Sequence, residues 1–350
     1  MKFLFLLLPI FFSPKVSARP IELNVRDYGW LTSFPPLKDV LDFYVAGEED
    51  DLNLEQPILD PSRINYGTAN SSVLASKGLG TDYVNDPKRY SLSLGLGAAW
   101  DAEKNEGIKD EISGAAASSA LTFGYRMNEK LLGYVSFGVI KHNQSFPGKD
   151  VDIAGDIKGS HFGLHLRYDL IEKKGSDFFG WGGLKLSGGY EYTKNRVDLT
   201  TTLDEPLELD TGGQGILEGR ITGNPVYQVK TTTHSLPIEL SSSFLFLNIF
   251  SLYGGAGADL NFGSSVGKGK IEGDVATLAC TSGICVGETV LPQLEARANF
   301  DSRSTVKTMT FRGFGGLQLD LPFGLNAFGQ VEQMIGTKVI GLSTGLRYIY

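Results

Sequence analysis

Between residues 159 and 170 every second position is large and apolar. Phe162, Leu164, Leu166, Tyr168 and Leu170 alternate with His161, Gly163, His165, Arg167 and Asp169. A period of two sends the first set to one face of a strand and the second to the other. In a soluble sheet the apolar face is hidden against a core. Beside lipid it faces outward, with a polar interior behind it.

The same alternation recurs along the chain. Residues 90–100 carry Tyr90, Leu92, Leu94, Leu96 and Trp100 on one face, against serines and glycines. Residues 117–126 turn Leu121, Phe123 and Tyr125 outward, and 131–141 show Leu131, Val135, Phe137 and Val139. Residues 179–192 set Leu184, Leu186, Tyr190 and Tyr192 against Lys185, Ser187 and Glu191. Five further segments cover 230–246, 249–262, 306–321, 323–332 and 338–350, making about ten strands.

Connections between them alternate in length. Short ones fall near Asn128-Glu129, Lys173-Lys174-Gly175, Leu247-Asn248 and Pro322; long ones cover 101–116, 142–158, 193–229, 263–305 and 333–337. Outer-membrane barrels have an even strand number, short periplasmic turns and longer extracellular loops. A soluble sandwich would scatter its loop lengths over both ends. The expected fold is therefore all-β, a transmembrane up-and-down antiparallel β-barrel over residues 90–350. The 193–229 connection has room for another hairpin, which would make twelve strands.

Composition excludes a helical membrane protein. The chain is 41% hydrophobic with a mean hydropathy of −0.06, and no stretch beyond residue 18 has the roughly 18 uninterrupted apolar residues of a spanning helix. Barrel strands escape such a measure because only alternate residues face lipid. A net charge of −8 disfavours nucleic acid as a partner.

Lys2, the apolar run from Phe3 to Phe12 and Val16-Ser17-Ala18 have the make-up of a secretory signal peptide over residues 1–18. At the other end of the sequence, Leu342, Leu346, Tyr348 and Tyr350 share a face, opposite Ser343, Gly345 and Arg347. This segment resembles the C-terminal assembly signal of Gram-negative outer-membrane β-barrel proteins. The resemblance implies an outer-membrane location, with membrane lipid and the barrel-assembly machinery as partners. Gly180-Trp-Gly-Gly-Leu-Lys-Leu-Ser-Gly-Gly-Tyr-Glu-Tyr192 and Ser251-Leu-Tyr-Gly-Gly-Ala-Gly-Ala-Asp-Leu-Asn-Phe-Gly263 are similar to strand repeats of leptospiral-type surface adhesin barrels. That likeness implies a non-enzymatic surface protein whose outer loops bind an extracellular ligand.

Residues 19–89 differ in kind. They are rich in proline, asparagine and aspartate, contain Glu48-Glu49-Asp50-Asp51, and carry helical spacing over 36–47. They are expected to form a periplasmic extension or a cap on the barrel mouth. A ten-stranded lumen is nearly filled by its own side chains, which leaves no room for an insert of this length.

Candidate sites are few. Arg167, Lys185, Glu191, Glu239, Asp259, Arg312, Asp320, Glu332 and Arg347 fall on inward faces, where mixed charges pair and fill a narrow barrel. In a wider barrel they would instead line the path of a porin or small-solute channel, the alternative function. Cys280 and Cys285 are the only cysteines. An even count in an exported chain reads as a disulfide, worth about 2 kcal/mol for so short a loop. His161 and His165 lie roughly 13 Å apart along a strand, too far for one metal ion. Neither His142 nor His234 sits in a motif with a nucleophile. No catalytic, metal or cofactor residue is expected.

Overall fold

Ten alternating segments form ten strands, and the strands close on themselves. The computed structural model describes residues 17–18, 22–27, 61–102, 114–147, 152–175, 178–201, 203–210, 215–224, 226–247, 249–283, 289–290 and 293–350. The barrel strands are β1 Tyr90–Asp101, β2 Gly114–Arg126, β3 Leu131–Pro147, β4 Asp152–Ile171 and β5 Phe179–Thr201. They continue with β6 Val226–Phe246, β7 Phe250–Gly283, β8 Met309–Asp320, β9 Leu325–Ile335 and β10 Val339–Ile349. Each pairs antiparallel with its predecessor. β10 then pairs with β1, from Val339 opposite Asp101 to Ile349 opposite Ser91. Closure leaves the membrane-crossing part with no unpaired edge, as a lipid environment requires.

The side-chain pattern is inside out. On β1, Leu92, Leu94 and Leu96 are exposed while Ser91, Ser93 and Ala99 are buried. Leu94 keeps 59% of its surface, and exposed Leu, Phe, Val and Tyr recur on all ten strands. Water would penalise such a belt by about 25 cal/mol per Å²; hydrocarbon does not. Among the described residues no helix is long and apolar enough to cross a membrane. The protein is an outer-membrane β-barrel.

Short turns mark the periplasmic end. There Tyr90 and Tyr350 stack at the seam, with centroids 4.7 Å apart and planes 14° apart. The Tyr350 amide donates to the Tyr90 carbonyl at 2.9 Å, and the amides of Arg89 and Tyr90 donate to the Tyr350 carbonyl at 3.0 and 3.2 Å.

At the other end several strands outrun the membrane. A tilted crossing takes about ten residues, yet β7 has 34. Its first part pairs with β8, and its outer part pairs with Gln293–Thr305 and with Gly215–Gly223. Gly215–Gly223 also pairs with Leu203–Asp210. The extra hairpin inside the 193–229 connection is therefore real, but it extends an outer sheet and leaves the ring at ten strands. Glu22–Asp27 adds to the same outer sheet against residues 293–297. Of the expected disulfide, Cys280 falls on the outer part of β7 and Cys285 lies outside the described residues. The expected helix over 36–47 and nearly all of the expected signal peptide also lie outside them.

Sequence reasoning left no room in this lumen for an insert as long as residues 19–89, and the structure places a shorter piece of it, residues 61–88, inside the ring. Helix α1, Pro61–Leu74, contacts strands on opposite sides of the ring, including β1, β2, β6, β7 and β10. Only a segment inside the ring can do that. α1 starts at the outer end, where Asn65 hydrogen-bonds Ser302. The chain then runs inward past Gly78, which turns with φ +74°, and leaves at the periplasmic mouth to begin β1. It fits because the wall is thin where it passes: a Cβ on Gly97 would lie 2.1 Å from the Ala75 carbonyl oxygen.

Deleting Ile349 and Tyr350 should impair assembly more than removing two residues from the 202–225 connection, because only the first deletion opens the seam. The expected result is loss of heat-modifiable migration in outer-membrane fractions of the first strain alone.

Candidate functional site: the filled lumen and the outer sheet

Alternation places all nine inward charges in the lumen, and residues 61–88 gather them into two clusters. The first lies at mid-barrel. Arg312 has no exposed side-chain surface and pairs with Asp259 at 3.1 Å, with Glu332 at 2.9 Å and with Glu239. Glu239 also accepts from Tyr83 Oη and Ser187 Oγ, both at 2.9 Å. Four wall carboxylates face this region (Glu191, Glu239, Asp259 and Glu332), more than Arg312 alone can neutralise. The missing cation comes from the lumen segment. Lys77 Nζ lies 2.7 Å from Glu191 and 3.3 Å from Asp259, and donates to Ser235 Oγ at 3.0 Å.

A second cluster near the periplasmic mouth has the opposite sign. Here the wall supplies three cations, Arg167, Lys185 and Arg347, against two carboxylates, Asp169 beside Arg167 at 3.4 Å and Asp320, and the segment supplies acids. Asp86 pairs with Arg167 and lies 3.3 Å from Lys185 Nζ; Asp82 is 3.0 Å from Arg347. Lys185 also donates to the Val84 carbonyl at 2.8 Å, and Arg347 to that of Thr81 at 3.2 Å. Asp320 accepts from Asn85 Nδ2 at 3.2 Å. Wall and segment are thus matched in sign at both depths.

Apolar contacts fasten the segment between and above these clusters. Ala69, Val73, Leu74 and Ala75 pack with Ala99, Ala116, Val306, Met334 and Val339. Tyr83 stacks on Tyr253 at 5.5 Å and packs on Phe314 at 4.8 Å. The rest of α1 is polar and meets a polar wall. Asn195 Nδ2 donates to Ser72 Oγ at 3.0 Å, and the Lys307 amide donates to Asn70 Oδ1 at 3.2 Å.

The histidines take structural places. His165 Nε2 lies 3.3 Å from Glu191. His161 Nε2 and Ser136 Oγ are 2.9 Å apart, a Ser–His pair on neighbouring strands. A hydrolytic pair needs a substrate path and a group to orient the imidazole. Ser136 is completely buried, and among the described residues His161 Nδ1 has no hydrogen-bond partner. Strand spacing overstated the separation of the two rings: both Nε2 atoms lie 3.2 Å from the point where a Cβ on Gly163 would sit. Even so, no group of three metal-binding side chains occurs among the described residues.

α1 and its pairing were missed in the sequence. Pro61 is a fitting first helical residue, but Asn65, Gly67, Thr68, Asn70, Ser71 and Ser72 are poor helix formers and give no apolar stripe. The available signal lay elsewhere, in the surplus of inward carboxylates and the placement of Lys77, Asp82 and Asp86 ahead of the first strand.

Replacing Arg312 by alanine should cost about 3–5 kcal/mol, because it strands buried carboxylates. Replacing Lys130, whose ion pair with Glu172 is exposed and 3.5 Å long, should cost less than about 1 kcal/mol. Urea unfolding of the refolded barrel, followed by tryptophan fluorescence, measures both; equal losses would contradict the assignment of the network.

No curated protein matches the sequence. Among solved structures, the translocator domain of the autotransporter NalP from Neisseria meningitidis is 12% identical, with 79% of this chain and 92% of that one covered and a TM-score of 0.30. The transport unit of the autotransporter AIDA-I from Escherichia coli is 9% identical, with 83% and 99% covered and a TM-score of 0.31. The attachment invasion locus protein Ail of Yersinia pestis is 13% identical, with 62% and 97% covered and a TM-score of 0.23. The Lsa36-like family profile matches residues 47–325, most of the sequence. The chain is an outer-membrane β-barrel protein that belongs to the Lsa36-like family.

Proposed function

We propose that this protein is a non-enzymatic surface-binding barrel. Ten strands anchor it in outer-membrane lipid, residues 61–88 keep its lumen filled, and the outer sheet meets an extracellular ligand. The observation that carries the reading is the match of sign between wall and lumen segment. A path for solutes needs charges that water can reach, whereas Lys77, Arg312 and Asp259 have no exposed side-chain surface. Opening the lumen would break the pairs of Lys77 with Glu191 and Asp259, at several kcal/mol for each.

In this reading the region ahead of Pro61 belongs on the cell surface. The lumen segment starts at the outer end, and Glu22–Asp27 pairs with the outer strand Gln293–Thr305. This reading sets a surface-displayed segment against the periplasmic extension or mouth cap expected from the sequence. Insertion into the membrane involves the barrel-assembly machinery, with the Leu342, Leu346, Tyr348 and Tyr350 ridge as its signal. A small-solute channel is the second reading, supported by the ring of inward charges, and it requires the lumen segment to leave.

Two measurements separate these readings. In planar bilayers the full chain should give little or no conductance, and large stable steps would favour the channel. An epitope placed just ahead of Glu22 should be reachable by antibody on intact cells. Reactivity only after permeabilisation would overturn the surface display.

A further inference from the structure

A row of like charges crosses four neighbouring strands on the lipid-facing side, above the apolar belt. Lys141 on β3 is directly opposite Lys158 on β4, Lys158 is opposite Arg196 on β5, and Arg196 is opposite Lys230 on β6. All four point outward, and the side chains of Lys158 and Arg196 are each 43% exposed. Lys194, also outward, sits beside the row on β5. Like charges directly opposite on a sheet repel and destabilise it. Two carboxylates offset part of this: Asp156 lies 2.6 Å from Lys158, and Asp198 lies 2.8 Å from Arg196. Five cations less two carboxylates leave three positive charges, on a chain whose net charge is −8. Lys141, Lys194 and Lys230 have no ion-pair partner among the described residues.

The height of the row identifies its counter-charge. Four residues nearer the membrane on each of these strands lies a parallel row of aromatic rings. Phe137 is opposite Phe162, Phe162 opposite Tyr192, Tyr192 opposite His234, and His234 opposite Phe262 on β7. Such a girdle marks the boundary between hydrocarbon and headgroups. Four residues are about 13 Å along a strand, or about 10 Å in height at the usual tilt. Long Lys and Arg side chains reach down from there into the headgroup layer. An arginine flanked by lysines suits phosphate, with a planar fork for two oxygens and point charges beside it.

We infer that Lys141, Lys158, Arg196 and Lys230 form a docking site for the phosphorylated headgroup of an outer-leaflet lipid. The lipid supplies the anion that the register otherwise lacks, and its acyl chains continue down the apolar belt past Phe137, Phe162 and Tyr192. Asp156 and Asp198 hold two of the cations in place, so the row is ordered before the lipid arrives. This site is separate from the outer sheet and from any ligand bound there.

The test uses the full refolded chain and counts retained lipid by native mass spectrometry. Diphosphorylated lipid A is the probe, with its dephosphorylated form and inorganic phosphate as comparators. The wild-type barrel should retain the phosphorylated lipid at least about tenfold better than the dephosphorylated one. The Lys141→Gln/Lys230→Gln variant should lose that preference while keeping heat-modifiable migration. The Lys88→Gln/Arg89→Gln variant, altered at the periplasmic mouth, should keep it. Equal retention of both lipids, or an equal loss in the periplasmic variant, would overturn the site. Displacement of the lipid by inorganic phosphate at comparable concentration would overturn the assignment to a lipid.

Discussion

Four carboxylates face the middle of this lumen, and the wall provides one guanidinium to meet them. Removing a charge from water costs several kcal/mol unless a partner replaces the lost hydration. Arg312 serves Asp259, Glu239 and Glu332, and Lys77 from the lumen segment serves Glu191 and Asp259. Without the segment, water or ions would have to replace Lys77 at Glu191 and Asp259. Barrel and segment are therefore one electrostatic unit, and the polarity of the barrel interior follows from that.

The hydrophobic effect has an unusual place in such a molecule. Its main apolar surface is the outer belt, which lipid accepts without requiring any particular packing. Specificity inside comes from hydrogen bonds and ion pairs, with small apolar clusters as spacers. This explains the make-up of α1. A helix satisfies its own backbone bonds, so it can enter a lumen without orphaned amides. Its side chains need to match a wall of serine, threonine and glycine, and Asn65, Ser71 and Ser72 do so better than leucine would. Val73 and Leu74 are apolar where the wall is apolar, against Ala99, Ala116 and Val339.

Those rules decide what could be read from the sequence. The ten strands were legible because period-two alternation is imposed by lipid on one side and a polar interior on the other. Their outer ends were less so: β7 continues for 21 residues beyond its expected end at 262, to Gly283. Above the membrane lipid no longer imposes a pattern, and a sheet in water tolerates many. The nine inward charges could be placed by face but not paired, since pairing depends on strand register and on a segment distant in sequence. Arg167 meets Asp86, which lies 81 positions earlier in the chain. α1 was invisible because the usual helix signal is an apolar stripe, and a helix inside a polar lumen has no use for one. The expectation of a nearly filled lumen, with no room for an insert as long as residues 19–89, assumed wall side chains of ordinary size. Gly95, Gly97 and Gly124 leave the space that the segment and its neighbours occupy.

Closure and the proposed surface recognition support one another physically. A barrel that transports must tolerate a lumen segment that leaves, and its interior charges must be stable in both states. Here the two clusters have opposite signs at the two depths, so the segment matches the wall in one orientation and one register. Shifting it by a turn would bring Lys77 toward the wall's basic end, or Asp82 and Asp86 toward the wall's acidic middle. The same matching holds Pro61 at the outer end and Tyr90 at the periplasmic one. The polarity that fills the lumen also fixes the outer end as the one at which α1 begins. A rigid, filled anchor of this kind can carry a tall outer sheet with little cost in motion at its base. That combination suits the surface-binding role proposed above.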